Sequence, residues 1–146
     1  MWRLWLCFSL SLLPAAVQAQ TAADSSAIRA TALDYVEGWY TGDAERMERA
    51  LHPELAKRII RTNAQGKSSL DQMGAMRLVQ YARAGYGKST PPAEQIKNVT
   101  ILDIFHNAAS VRAEMSGWID YMHIGKWEGR WVIVNVLWET KPTPPK

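Results

Sequence analysis

Residues 118–138, WIDYMHIGKWEGRWVIVNVLW, form two apolar runs rich in tryptophan, valine and isoleucine, joined by KWEG. Such runs favour extended backbone, and Glu128-Gly129 offers the positive-φ position of a tight hairpin. On the second run Val132, Val134, Val136 and Trp138 alternate with Trp131, Ile133, Asn135, Leu137 and Glu139. Both sets are largely apolar, so both faces of this strand need cover. One set is expected to line an interior. The other is expected to pack on a second subunit, because a bare apolar sheet face invites aggregation. A homodimer through the sheet is the resulting expectation.

The neighbouring segments IKNVTILDIFH and ASVRAEMSGWIDYMHI read as further strands, with NAA as their connection. Val111, Ala113 and Met115 alternate with Arg112, Glu114 and Ser116, the period of a half-buried strand. The N-terminal half reads differently. From Asp24 to Tyr40, the residues Ile28, Ala32, Tyr35, Val36 and Trp39 recur at helical spacing, and Gly42 suits a left-handed exit. Asp43 is placed to cap a second helix running to about Leu51. HPELAKR predicts a third short helix that carries Leu55 inward, with Pro53 tolerated at its first position. RIIRTN predicts a short strand and AQGK a turn. SSLDQMGAMRLVQYARAG predicts a helix ending at Gly85, with Leu70, Met73, Met76, Val79 and Tyr81 on its apolar face. YGKSTPPAEQ is a loop by composition. Helices segregated from consecutive hairpins imply an α+β fold. Long strands twist and curl, and a sheet curled around helices makes a cone with a mouth at one end.

The first residues do not belong to that fold. MWR is a short basic start, LWLCFSLSLLPAAV is apolar, and VQA ends at Ala19 with small residues at a cleavage spacing. Residues 1–19 therefore read as a secretory signal peptide, too short for a membrane span. The single cysteine, Cys7, leaves with it, and no small-residue pair precedes it as a lipid anchor requires. The remaining chain is expected to be periplasmic or secreted and to have no disulfide, cysteine nucleophile or thiolate metal site. It is most simply one domain, residues 20–140, with a mobile tail, KPTPPK, at 141–146. The formal net charge is +3, spread along the chain without a basic stripe, which excludes a nucleic-acid footprint.

ALDYVEGWYTGDAERMERALHPELAKR, with ASVRAEMSGWIDYMHIGKWEGRWVIVNVLWE, resembles the putative lumazine-binding family of the nuclear transport factor 2-like superfamily. The GWYTGD helix exit, the HPELAKR turn and the closing GRWVIVNVLWE carry it most specifically. The resemblance implies a cone-shaped α+β barrel. It does not imply an activity, because fold analogy does not establish function.

Candidate site residues come from the alternation. Ile119, Tyr121 and His123 face one side of their strand, and Trp118, Asp120 and Met122 face the other. Val111, Ala113 and Met115 share parity with Tyr121 and His123, but a bulge near Gly117 would reverse the later half. So either Tyr121 with His123, or Trp118 with Asp120, points into the cone. Asp120 is a candidate general acid or base among apolar walls, with Tyr35 or Tyr40 as a hydrogen-bond donor. Asp103 is a weaker candidate for that role. His123 is a candidate proton shuttle. His52 sits at the HPEL turn near the mouth, and His106 ends a strand beside a turn. Trp39, Tyr40, Trp118 and Trp138 are the aromatic group suited to wall a pocket. The histidines have no metal-ligand spacing, and no phosphate loop, nucleophile elbow or paired-carboxylate spacing occurs.

Three functional readings follow, none requiring a cofactor or metal. The first is an exported protein that binds a small apolar or aromatic ligand. The second is a cofactor-free isomerase or dehydratase in which Asp120, His123 and a helix tyrosine move protons on an apolar ring. The third is a dimerisation or adaptor module whose cavity is filled by its own side chains.

Overall fold

A computed structural model describes residues 15–142, with side chains from residue 22 onward. The expected leader and tail lie largely outside the described residues. Three helices, α1 (Ala15–Thr41), α2 (Ala44–Ala50) and α3 (Ala75–Arg83), accompany six strands. These are β1 (Leu51–Thr62), β2 (Ser68–Met73), β3 (Asn98–Phe105), β4 (Ala108–Glu114), β5 (Trp118–Trp127) and β6 (Arg130–Thr140). The strands form one sheet in the order β2-β1-β6-β5-β4-β3, antiparallel except where β1 runs parallel to β6. This is the expected α+β fold, an open sheet curved around the helices. Among the described residues no helix is long and apolar enough to cross a membrane.

The α1 stripe works as the spacing requires. Ile28, Ala32, Tyr35 and Val36 are buried, Trp39 is half-buried and Tyr40 beside it is buried. The helix already runs from Ala15, ahead of the expected start at Asp24, and crosses the sheet from β3 to β6. Arg29 donates to the Val99 carbonyl at 2.7 Å, and the Thr31 hydroxyl to the Trp131 carbonyl at 2.9 Å. At the exit, Gly42 takes φ +69° while the amides of Gly42 and Asp43 return to the Trp39 and Gly38 carbonyls. That paired bonding satisfies carbonyls the helix end leaves open and turns the chain sharply. Asp43 then caps α2, its carboxylate accepting the Arg46 amide at 2.9 Å.

Four local expectations are corrected. HPELAKR is not a helix; it belongs to β1, where Leu55, Lys57 and Ile59 are buried. Pairing on both sides, with β2 and β6, satisfies its backbone and outweighs the modest helix propensity of ELAKR. Likewise SSLDQM is edge strand β2, reached by a turn in which the Asn63 side chain accepts the Gln65 and Lys67 amides. The helix proper begins at Ala75, so Leu70 and Met76 stay exposed while Leu78, Val79 and Ala82 are buried. Third, ASVRAEMSGWIDYMHI is two strands, not one: the Met115 amide donates to the Trp118 carbonyl at 2.9 Å and closes a hairpin. Tyr40 pins that turn, accepting the Ser116 amide at 2.8 Å. Fourth, the bulge lies in β6, where the register with β5 shifts between His123 and Ile124. The extra residue, Val134, places Trp131 and Ile133 on the same inner face as Val136 and Trp138. KWEG behaves as expected, with Glu128 at φ 48° and Gly129 at φ 78°, the signs a type I′ turn needs.

Candidate functional site

Asp120 stands at the middle of β5, opposite Ala113 on β4 and Trp138 on β6, with 0% of its surface exposed. A carboxylate so buried must be paired and fully hydrogen-bonded, or its desolvation destabilises the fold. Three donors converge on it. The Tyr35 hydroxyl, brought by α1, donates to Oδ2 at 2.9 Å. The Trp118 indole N–H donates to the same oxygen at 3.2 Å. The Lys57 ammonium, from β1, donates to Oδ1 and also to the Tyr35 hydroxyl oxygen at 2.7 Å. Lysine, tyrosine and aspartate thus form a closed triangle in which every member is paired with the other two.

The triangle shapes its own electrostatics. Burial pulls the Lys57 ammonium below the ordinary lysine value, against the pull of Asp120 in the other direction. Burial also pushes the Tyr35 phenol well above its ordinary value, and the Asp120 charge adds to that push. The Lys57 nitrogen lies 4.9 Å from the centre of the Trp138 ring and 5.4 Å from that of Tyr35, so aromatic faces supply the remaining stabilisation of its charge.

Above the triangle is a cavity of about 110 Å³. Trp39, Trp118, Trp138 and Tyr81 give it aromatic walls, and Met73 with Leu78 supplies aliphatic ones. Tyr35 and Lys57 complete the wall, their polar atoms turned toward Asp120. Trp118 meets Trp39 edge to face at 5.7 Å and Trp138 at 6.4 Å, which holds the three indoles in fixed relative orientation. Among the described residues the Trp138 indole nitrogen is buried with no hydrogen-bond partner. Chemically, then, the cavity offers flat, almost wholly apolar contact, with the Lys57 ammonium and Tyr35 hydroxyl engaged with Asp120 beneath it. Asp120 lies behind Lys57 and Tyr35, and both its oxygens are taken. It positions those two groups instead of meeting a ligand directly.

The predicted residues separate into two groups. Tyr35, Trp39, Trp118 and Trp138 line the cavity and Asp120 backs it. The others lie elsewhere. Tyr40 is buried at the β4–β5 turn, donating to the Ile96 carbonyl at 3.1 Å. His52 accepts the Glu54 amide at 3.1 Å and sets its ring edge-on to Trp127. Tyr121 and His123 are exposed on the opposite face of the sheet, where His123 bonds the Asn135 side chain at 3.2 Å. Asp103 and His106 are exposed on β3 and at its end. Among the described residues no three His, Cys, Asp or Glu side chains gather as a metal site would need.

Sequence reasoning missed Lys57 at the cavity, along with the wall residues Met73, Leu78 and Tyr81. The Lys57 signal is present, since Leu55, Lys57 and Ile59 alternate as one face of a strand, but reading HPELAKR as helix hides that alternation.

The sequence profile of the family described as "Putative lumazine-binding" matches residues 23–139. No curated protein matches the sequence. Among solved structures, an NTF2-like protein of unknown function from Shewanella baltica OS155 is 22% identical. The match covers 84% of this chain and 97% of that one, with a TM-score of 0.65. An NTF2-like protein with a cystatin-like fold from Novosphingobium aromaticivorans is 11% identical, with 90% of each chain covered and a TM-score of 0.64. A ketosteroid isomerase-like protein from Erwinia carotovora atroseptica is 10% identical over 81% of this chain and 96% of that one, with a TM-score of 0.56. At these identities the likeness is one of fold.

Proposed function

This chain belongs to the putative lumazine-binding family, and we propose that it is an exported protein that binds a small, planar, ring-containing molecule. The observation that carries this reading is the cavity itself: three tryptophans and a tyrosine around a buried lysine–tyrosine–aspartate triangle. Indole walls give a ring large contact area at little entropic cost, and a few fixed polar groups orient it. Export is supported by the basic start, apolar run and small-residue site of residues 1–19. The outer sheet face exposes Tyr121, Val134 and Leu137, and burying it against a second copy makes a homodimer.

A second reading, a cofactor-free isomerase or dehydratase, draws on the same two polar groups, since Lys57 and Tyr35 are suited to hold a developing oxyanion. Asp120 gives it no free base, because Tyr35, Trp118 and Lys57 occupy both carboxylate oxygens. Binding without turnover is therefore the better account.

Native mass spectrometry of the protein from its own cells tests the reading. The expected spectrum is a dimer that releases one discrete ring compound on mild denaturation. A protein that comes out empty, and takes up no ring compound from a panel, sinks the binding reading.

A further inference from the structure

Beside the aromatic cavity lies a second space of about 460 Å³ that shares Lys57, Met73 and Trp138 with it. Its rim carries Arg61 from β1, Asp71 from β2 and Arg77 from α3. These charges do not balance. Lys57 is paired with Asp120, and Arg61 with Asp71 at 2.9 Å. Arg77 has no carboxylate partner among the described residues; its Nε donates to the Tyr81 hydroxyl at 2.7 Å. That single bond fixes the guanidinium 5.3 Å from the Tyr81 ring, a ring that also walls the inner cavity.

Donors predominate in the hydrogen-bonding capacity left over, although among the described residues the Asp71 Oδ1 oxygen is also without a protein partner and Arg77 is exposed. Arg77 retains the N–H groups of its two terminal nitrogens, and Lys57 uses two of the three N–H bonds an ammonium carries. The buried Trp138 indole N–H has no acceptor. Against these, every carboxylate oxygen of Asp120 is occupied. A site with surplus donors, surplus positive charge and a flat apolar end calls for a ligand with a ring at one end and an anionic oxygen group at the other. Guanidinium and carboxylate match as a planar, bidentate pair.

We infer, resting on the binding reading above, that the two spaces form one site for an aromatic carboxylate. Its ring lies among Trp39, Trp118 and Trp138, and its carboxylate lies on Arg77 at the mouth. The inner cavity is of the right order for this: an apolar cavity of roughly 150 Å³ takes up a benzene molecule.

Isothermal titration of the mature protein with benzoate and with benzamide, its neutral isostere, tests the inference. Benzoate is expected to bind about tenfold more tightly, the effect of one charge-assisted hydrogen bond gained at the mouth. In Arg77→Gln the two affinities converge. Arg83→Gln makes the same charge change on the same helix outside both spaces and keeps the preference. Equal affinities in the parent protein overturn the inference, as does a preference that survives Arg77→Gln or disappears equally in Arg83→Gln. Benzamide binding without an anion preference overturns only this inference. Failure of both probes overturns this inference, and the binding reading falls with it only if no ring compound of the panel is taken up either.

Discussion

Strand β1 carries two cations four residues apart, each on the inner side of the sheet and each facing a carboxylate. Lys57 meets Asp120 with side-chain exposures of 6% and 0%. Arg61 meets Asp71 with exposures of 53% and 59%. Both are cation–carboxylate pairs, and burial makes their consequences differ. In water the exposed pair is screened and holds two flexible side chains in place, so its net contribution is small. In the interior neither Lys57 nor Asp120 has water to fall back on, so each becomes indispensable to the other. One strand running from core to rim thus turns the same chemistry from a structural requirement into surface decoration. Only the buried pair holds its groups in a fixed arrangement beneath the cavity.

Breaking the buried pair has the largest expected effect. Asp120→Asn leaves the Lys57 charge buried without a counter-ion, and a loss of about 3–5 kcal/mol in urea unfolding is expected. Adding Lys57→Met to that variant removes the stranded charge and recovers much of the loss, a non-additivity that a double-mutant cycle measures. Additive losses would show that the two residues do not act as a pair.

An intermediate case lies between α1 and α2, where Asp34 accepts from Arg46 at 2.8 Å and from Arg49 at 2.7 Å. Burial alone would raise the Asp34 carboxyl, but the hydrogen bonds from Arg49 and Arg46 outweigh it and hold the group below its ordinary value of 3.8. A carboxyl lowered by folding stabilises the native state fully above that ordinary value and loses the contribution as pH falls through the folded one. Asp34→Asn is therefore expected to flatten the fall in urea midpoint as pH drops below the ordinary value. An unchanged slope would exclude Asp34 as a contributor.

The smallest effect belongs to the rim. Asp71→Asn is expected to change stability by less than about 1 kcal/mol, and less again at high salt. A loss comparable to that of Asp120→Asn would erase the distinction between the two pairs.

Much of this arrangement is legible in the sequence. The α1 stripe, the Gly42 exit, the Asp43 cap and the Glu128-Gly129 turn each depend on contacts within a few residues, and each formed where the pattern placed it. The errors fell where distant pairing decides. ELAKR and SSLDQM have local patterns compatible with a helix, and they became strands because β6 and each other supplied ladders for their backbone. The face of Asp120 depended on whether Met115–Gly117 was a bulge or a hairpin turn. That was settled by Tyr40, some 76 residues away in sequence, bonding the Ser116 amide.

The sequence by itself determined the fold class, the Gly42 helix exit, the Asp43 cap, the hairpin turn and the aromatic content from which a pocket is built. These follow from short-range periodicity and backbone preference, which a chain carries locally. Only the tertiary structure decided that Lys57 enters the core, that it meets Tyr35 and Asp120 there, and that Tyr121 and His123 turn away. Those outcomes depend on strand register and on which segments pair. A shift of one residue in β5 would bring the histidine in and put the aspartate out.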